Sequence, residues 1–252
     1  AFDRDSDVVK NLPKDKNFKL IQSNYKNIKR FLRMEGVRKV DGILADLGVS
    51  SHQFDVKERG FSFRFDSVLD MRMDFSSSLT ARQVINEYSE EDLTDIFFRY
   101  GELRQSRILS RIIVQQREIN KIETTTELVN MLNHLVPEKK RNQFLSQVFQ
   151  SIRIEVNNEI ESLKQMLEDG VGLLNIGGRF VVISYHSLED RLVKNLFKRG
   201  SLSGEIEKDF YGNILKDLIE VNSKVIVASE KERLENSRSR SAKLRIAEKI
   251  EN

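Results

Sequence analysis

The chain has 252 residues, 39% of them hydrophobic and 32% charged, which is enough apolar content to bury a core in one large domain or two unequal ones. Its formal net charge is only +3, so affinity for nucleic acid has to come from local clusters of Arg and Lys. The absence of Cys excludes a disulfide framework, a thiolate zinc site and a cysteine nucleophile, and fits a reducing, cytoplasmic compartment; no apolar run approaches the roughly 20 residues of a membrane span, and no signal peptide opens the chain.

Ala1-Phe2-Asp3-Arg4-Asp5 has the look of a strand end already under way, without an initiator Met, so an earlier segment is expected to precede it. A second strand is predicted over 18–21, a helix over 24–34 stopped at Gly36, and a buried strand over 40–46 in which Ile43, Leu44 and Ala45 lead to Asp46. This βαβ rhythm predicts a parallel sheet with crossover helices. The loop that follows carries Arg59, Phe61, Phe63, Arg64, Phe65 and Arg72, a combination suited to stacking on bases and pairing with phosphates.

From about residue 78 to 150 the pattern is helical only. Ser89 before Asp92 and Thr124 before Glu127 have capping-box-like spacing, and Ile108, Ile112 and Ile113 form an apolar stripe. Arg99, Arg104, Arg107, Arg111 and Arg117 recur on successive turns, as an RNA-gripping or a solvated face would. After Pro137 one long helical pattern runs through Phe144, Val148, Ile152, Val156, Ile160, Leu163 and Leu167. A Gly177-Gly178 turn then leads into a buried strand over 179–185, followed by a helix over 188–198 that Ser187 caps, with Asp190 three residues on and Gly200 as the stop. Strand-like runs over 224–228 and 243–247 complete the sheet. The working architecture is an α/β domain in two parts, 1–75 and 151–252, interrupted by a helical domain over 76–150.

Asp3 sits at a strand end, where an acid commonly accepts hydrogen bonds from a cofactor ribose; Asp3-Arg4-Asp5 also matches the DxD of aspartyl phosphatases, and an ordinary capping acid fits as well. Asp46 ends another strand, with Ser50, Ser51 and Gln53 close behind, either lining a ligand crevice or satisfying their own loop backbone. Tyr25 follows the second strand and suits either an adenine ring or the core. Asp3, Tyr25 and Asp46 would share the carboxyl edge of a parallel sheet, where open α/β sheets bind ligands. The run Ser184-Tyr185-His186-Ser187-Leu188-Glu189-Asp190-Arg191 concentrates polar groups at a strand-to-helix turn, either as part of a site or as a cap by Ser187 and Asp190 with a solvated Glu189–Arg191 pair. Three scattered His and no Cys argue against a transition-metal site. Arg238, Arg240, Lys243 and Arg245 alternate, which would set a basic row on a terminal strand, for phosphate binding or for protection of an edge.

DGILADLGVSS, ERGFSFR, LDMRMD, SYHSLEDR and RSRSAKLR together resemble the RsmH (MraW) family of S-adenosylmethionine-dependent methyltransferases, in the same order over essentially the whole chain. The resemblance implies a Rossmann-like class I methyltransferase core with an inserted all-helical substrate domain, the family's N-terminal strand and glycine-rich loop falling before Ala1. It implies methylation of the N4 amine of a cytidine in small-subunit (16S) ribosomal RNA, alone or in an assembling subunit, and it leaves room for a homodimer. Cofactor contacts are implied at Asp3, Tyr25, Asp46 and Gln53. Ser184, His186 and Ser187 become candidate catalytic groups, and Arg64, Arg72, Glu189, Arg191, Arg238 and Arg240 candidate RNA contacts. Tyr25 stands where the family usually has Phe, and His52 where it usually has Pro.

Methylating C5 of a pyrimidine generally requires a Cys to attack C6, and this chain has none, so an exocyclic amine is the better-suited target. Such a reaction needs a splayed-out base and an acceptor for an N4 hydrogen, supplied by Asp46 or by the 184–187 turn, with His186 a further proton acceptor. The competing reading is a non-catalytic RNA-binding or ribosome-assembly module that keeps the fold.

Overall fold

The computed structural model describes residues 1–251. In chain order the elements are β1 (Phe2–Asp3), β2 (Ile21–Gln22), α1 (Ile28–Met34), β3 (Val40–Asp46), α2 (Ser51–Asp55), α3 (Ala81–Glu87), α4 (Glu90–Arg99), α5 (Ser106–Ile119), α6 (Thr125–Leu132), α7 (Glu138–Asn157), α8 (Glu159–Leu173), β4 (Leu174–Ser184), α9 (Ser187–Arg199), β5 (Leu218–Glu220), β6 (Ile226–Val227), α10 (Glu230–Glu235) and β7 (Lys243–Lys249). Two compact units form: Ala1–Gly48 with Ile160–Asn252, and Val49–Glu159. Among the described residues no helix is long and apolar enough to cross a membrane.

The first unit is α/β. β1 and β2 pair in parallel as a small separate sheet. The larger sheet runs β3-β4-β7-β5, with β6 also on β7; β3 and β4 are parallel, whereas β7 is antiparallel to β4, β5 and β6. The sheet is therefore mixed, not purely parallel: β7 inserts between β4 and β5 and runs against both. Phe180, Val182, Phe197, Leu167 and Leu163 form the center of its core, with Phe180 and Phe197 ring centroids 5.6 Å apart. Gly170 lets α8 approach β4, since a Cβ there would meet the Phe180 ring at 2.6 Å. β3 departs from the fully buried strand its apolar run predicts: it pairs only with β4 among the described residues, and Leu44 is 72% exposed. The run is apolar enough for a central strand, yet burial depends on neighbors.

Several local elements differ from the sequence expectation. The helical pattern after Pro137 is two helices, because Asn158 adopts a left-handed conformation (φ 48°, ψ 45°) that ends α7. On α5 the buried stripe is Leu109 and Ile113, with Ile108 turned out. Residues 238–241 lie in a 3-10 turn, so Arg238 and Arg240 are not on a strand. Residues 24–27 open the first helix as a 3-10 turn. β5 has no counterpart among the predicted runs.

The second unit is larger than the purely helical stretch over 76–150. Phe61, Leu69, Met71 and Met73 share one apolar core with Phe97, Leu109, Ile113, Leu128 and Phe149, so residues 49–75 fold with the helices. ERGFSFR and LDMRMD interlock here. Gly60 (φ +70°) runs so close to the neighboring segment that a Cβ would lie 2.3 Å from the Val68 carbonyl oxygen. The buried Arg59 guanidinium donates to the Arg72 and Met73 carbonyls and sits 4.3 Å over the Phe75 ring. Met71 has a positive φ of 58°, a strained state for such a side chain. Asn157 holds this segment: its amide donates to the Met71 carbonyl at 2.7 Å and accepts from the Met73 N–H at 2.8 Å.

Replacing Asn157→Ala is expected to leave those backbone groups buried without partners, at about 1–3 kcal/mol each. Thermal unfolding should therefore show a loss of roughly 2–6 kcal/mol, consistent with two such groups, and an unchanged melting temperature would refute the bracing role.

Candidate active site

The parallel register of β3 and β4 sets Asp46 opposite Ile183, so the residues after both strands leave from the same end of the sheet. There the Tyr185 hydroxyl donates to Asp46 Oδ1 at 2.8 Å. Asp46 is exposed, and its Oδ2 has no partner among the described residues. Burial first, then the Asp46 carboxylate, pushes the Tyr185 hydroxyl up to about 12, so it remains a donor at neutral pH. The sequence signal for Tyr185 is its place directly after a strand that pairs with the one ending at Asp46.

The SYHSLEDR turn is built one residue earlier than its Ser187–Asp190 spacing predicts. His186 is the N-cap: its Nδ1 accepts from the Glu189 N–H at 3.5 Å, and Nε2 lies 3.2 Å from Glu189 Oε1. The Glu189 carboxylate, only 3% exposed, accepts from the Tyr185 N–H at 2.9 Å and the His186 N–H at 3.4 Å. A capping box therefore occupies His186 and Glu189, and Glu189 is a buried structural acid instead of half of a solvated pair with Arg191. Ser184 is buried with its hydroxyl on the Lys243 carbonyl at 3.4 Å, while Ser187 and Arg191 are exposed. Asp190 is not a cap; it accepts from Arg245 Nε at 2.7 Å and Lys243 Nζ at 3.1 Å, which ties α9 to β7. Of the expected basic row, Lys243 and Arg245 are thus spent on Asp190. Arg238 and Arg240 are exposed.

At the end of the smaller sheet Asp3 Oδ1 accepts from the Asp5 N–H at 2.8 Å, and its Oδ2 has no partner among the described residues. Because β1 and β2 are parallel with Asp3 opposite Gln22, Asp3 and the following 3-10 turn with Tyr25 lie at the same end. The Tyr25 ring is partly buried against the core of this unit.

In the second unit, Gln53 is buried and shares a capping box with Ser50, its Oε1 accepting from the Ser50 N–H at 3.1 Å. Arg72 makes a two-pronged ion pair with Asp70 at 2.9 and 2.7 Å and donates to the Phe75 and Ser77 carbonyls. It is consumed by its own loop, which corrects its expected place among the RNA contacts. Phe61 and Phe63 are corrected likewise: Phe61 is buried, and Phe63 packs on Phe149 at 5.5 Å. Arg64 and Phe65 are exposed. Among the helical arginines, Arg99 pairs with Asp95, Arg111 lies 3.8 Å from Glu90, and Arg117 donates to the Ile85 carbonyl. Arg104 and Arg107 are exposed with no ion pair among the described residues.

A mixed sheet with a reversed strand beside the parallel pair, and acids at the ends of parallel strands, fits a Rossmann-like methyltransferase. The chain belongs to the MraW methylase family, whose sequence model matches residues 1–250. It is 55% identical over 250 residues to the ribosomal RNA small subunit methyltransferase H of Flavobacterium johnsoniae, covering 99% of this chain and 82% of that relative. The proteins of the same name from Flavobacterium psychrophilum and Parabacteroides distasonis are 53% and 50% identical, covering 99% of this chain in both cases and 85% and 82% of those relatives.

Burial acts to raise the Asp190 carboxyl, but hydrogen bonds from Arg245 and Lys243 outweigh it and hold the group below its ordinary 3.8. A carboxyl depressed in the folded state stabilizes above its unfolded value, and that contribution fades as pH falls through the folded value. Asp190→Asn should therefore lower stability at pH 7 by about 1–2 kcal/mol, discounted for partial exposure of Lys243. It should also flatten the decline below about pH 4. Parallel acid unfolding curves for the two proteins would contradict the clamp.

Proposed function

We propose that this chain transfers a methyl group from S-adenosylmethionine to the N4 amine of a cytidine in small-subunit (16S) ribosomal RNA. Its family membership over residues 1–250 makes it an S-adenosylmethionine-dependent ribosomal RNA methyltransferase, and the relatives' shared name supplies the small-subunit substrate. The observation that carries the choice of an amine is Asp46, an exposed acid at the end of β3 with one oxygen held and the other open.

The residues present fit the cofactor. Asp3 offers an unpartnered carboxylate oxygen at the end of β1, suited to ribose hydroxyls, and Tyr25 offers a partly buried ring after β2, while Asp46, also expected among the cofactor contacts, is assigned to the amine instead. Gln53, in the second unit, has its amide oxygen committed to Ser50. When bound, S-adenosylmethionine supplies an electrophilic methyl carbon. Asp46 accepts an N–H of the target amine, orients its nitrogen and holds the proton that the amine sheds. We assign this acceptance to Asp46 ahead of His186, whose Nδ1 caps α9 and whose Nε2 is buried without a hydrogen-bond partner, with Ser184 and Ser187 framing the turn. Incubating the protein with labeled S-adenosylmethionine and small-subunit RNA should yield N4-methylcytidine on nucleoside analysis. Label at C5, or saturable RNA binding with neither cofactor binding nor turnover, would overturn the assignment and favor the non-catalytic module.

The second unit, as a substrate-recognition body, offers Arg64, Arg104 and Arg107 to phosphates; the exposed Arg191, Arg238 and Arg240 offer others on the α/β unit. Arg64→Ala and Arg240→Ala should each weaken RNA binding across sequences and reduce the slope of log affinity against log salt by about 1. An unchanged slope would remove that residue from the interface. Action on ribosomal RNA would put its work in the cytoplasm, whose reducing conditions suit a chain without Cys. A homodimer is proposed on one observation, the exposure of Phe210 (97%) and Tyr211 (86%) on a turn that Asp209 pins by accepting from the Tyr211 and Asn213 N–H groups; sedimentation velocity tests it.

A further inference from the structure

We infer that Tyr185 is a positioning residue for methyl transfer, fixing Asp46 by one carboxylate oxygen so that the other faces the incoming amine. The inference rests on the proposed reaction and adds to it the group that aims its acceptor. An exposed aspartate ordinarily samples several rotamers, and a single hydrogen bond from a rigid partner removes most of that freedom. Tyr185 is such a partner. Its backbone N–H is held by Glu189 at 2.9 Å, and its ring passes 3.6 Å from where a Cβ on Gly48 would lie. The hydroxyl then reaches Asp46 Oδ1 at 2.8 Å, bridging the ends of two strands already locked in register.

The bond is one-sided in a way that suits catalysis. Oδ1 is occupied, whereas Oδ2 has no partner among the described residues, so the carboxylate presents one acceptor instead of two interchangeable ones. The negative groups around Tyr185 are Asp46 on β3, Glu189 on α9 and Glu232 on α10, and together with burial they disfavor its phenolate. The hydroxyl consequently remains a donor at neutral pH.

The test is Tyr185→Phe, which keeps the ring and removes only the hydroxyl. With the full chain, S-adenosylmethionine and small-subunit RNA, kcat should fall about tenfold or more while KM for RNA and the cofactor dissociation constant stay within about twofold. A variant with wild-type kcat, or one in which kcat and thermal stability fall together, would overturn the positioning role. Absence of turnover in the unaltered protein would instead overturn the functional reading. Tyrosine-labeled NMR reads the contact without turnover. The Tyr185 resonance, assigned by its loss in Tyr185→Phe, should titrate near pH 12, and Asp46→Asn should bring it down toward the ordinary 10. A midpoint unmoved by Asp46→Asn would show that the two groups do not interact in solution and would sink the inference.

Discussion

The parallel pairing of β3 with β4 is the constraint on which the rest depends. It brings Asp46 and Tyr185, 139 residues apart in the chain, within hydrogen-bonding distance. Closing so long a connection costs little more than closing a short one, because the entropy of loop closure grows only with the logarithm of length, about 0.6 kcal/mol per doubling. Ordering the intervening residues is the larger demand. The second unit meets it with a core of its own, built from Phe97, Leu109, Ile113, Leu128 and Phe149 together with the Met71 segment. An insertion that folds on its own core can follow a sheet strand without weakening the ladder, and strand-end loops are where such additions bring new binding surface.

Unspent hydrogen-bonding capacity separates function from scaffolding in this molecule. Arg72 and Asp190 are charged and sit in sequence stretches of high polar density, yet the bonds observed for them are intramolecular: Asp70 and two carbonyls for Arg72, Arg245 and Lys243 for Asp190. Burying such groups is tolerable only because they are paired. Asp3 and Asp46 behave differently. Each has one oxygen engaged and one open, and each stands at the end of a parallel strand, where β-sheet geometry points an acid toward a ligand.

The extent to which the sequence disclosed this follows from the range of the interactions. β3 was legible to the residue, since an apolar run bounded by Lys39 and a Gly/Ser loop has one reading. The capping boxes at Thr124 and at Ser50 depend on residues three apart and lie within sequence reach. The His186 cap was hidden because HSLE and SLED offer two frames one residue apart, and only the Tyr185 and His186 N–H groups, both claimed by Glu189, choose between them. Asn158 broke an unbroken apolar pattern, since Asn adopts the left-handed conformation without any compositional warning. The arginine- and phenylalanine-rich loop was misjudged for a different reason. Its partners are backbone carbonyls and a carboxylate two residues away, whereas composition alone describes such residues equally well as RNA-facing. Family resemblance carried the reaction; the structure redistributed the roles of its residues.

The most direct test of the account is a crystal structure of the full chain with S-adenosylhomocysteine. The account predicts the ribose hydroxyls on Asp3 and the sulfur toward the end of β3, with Asp46 Oδ1 still on Tyr185 and Oδ2 still open. A cofactor bound away from both acids, or one that takes Asp46 Oδ2 for itself, would contradict it.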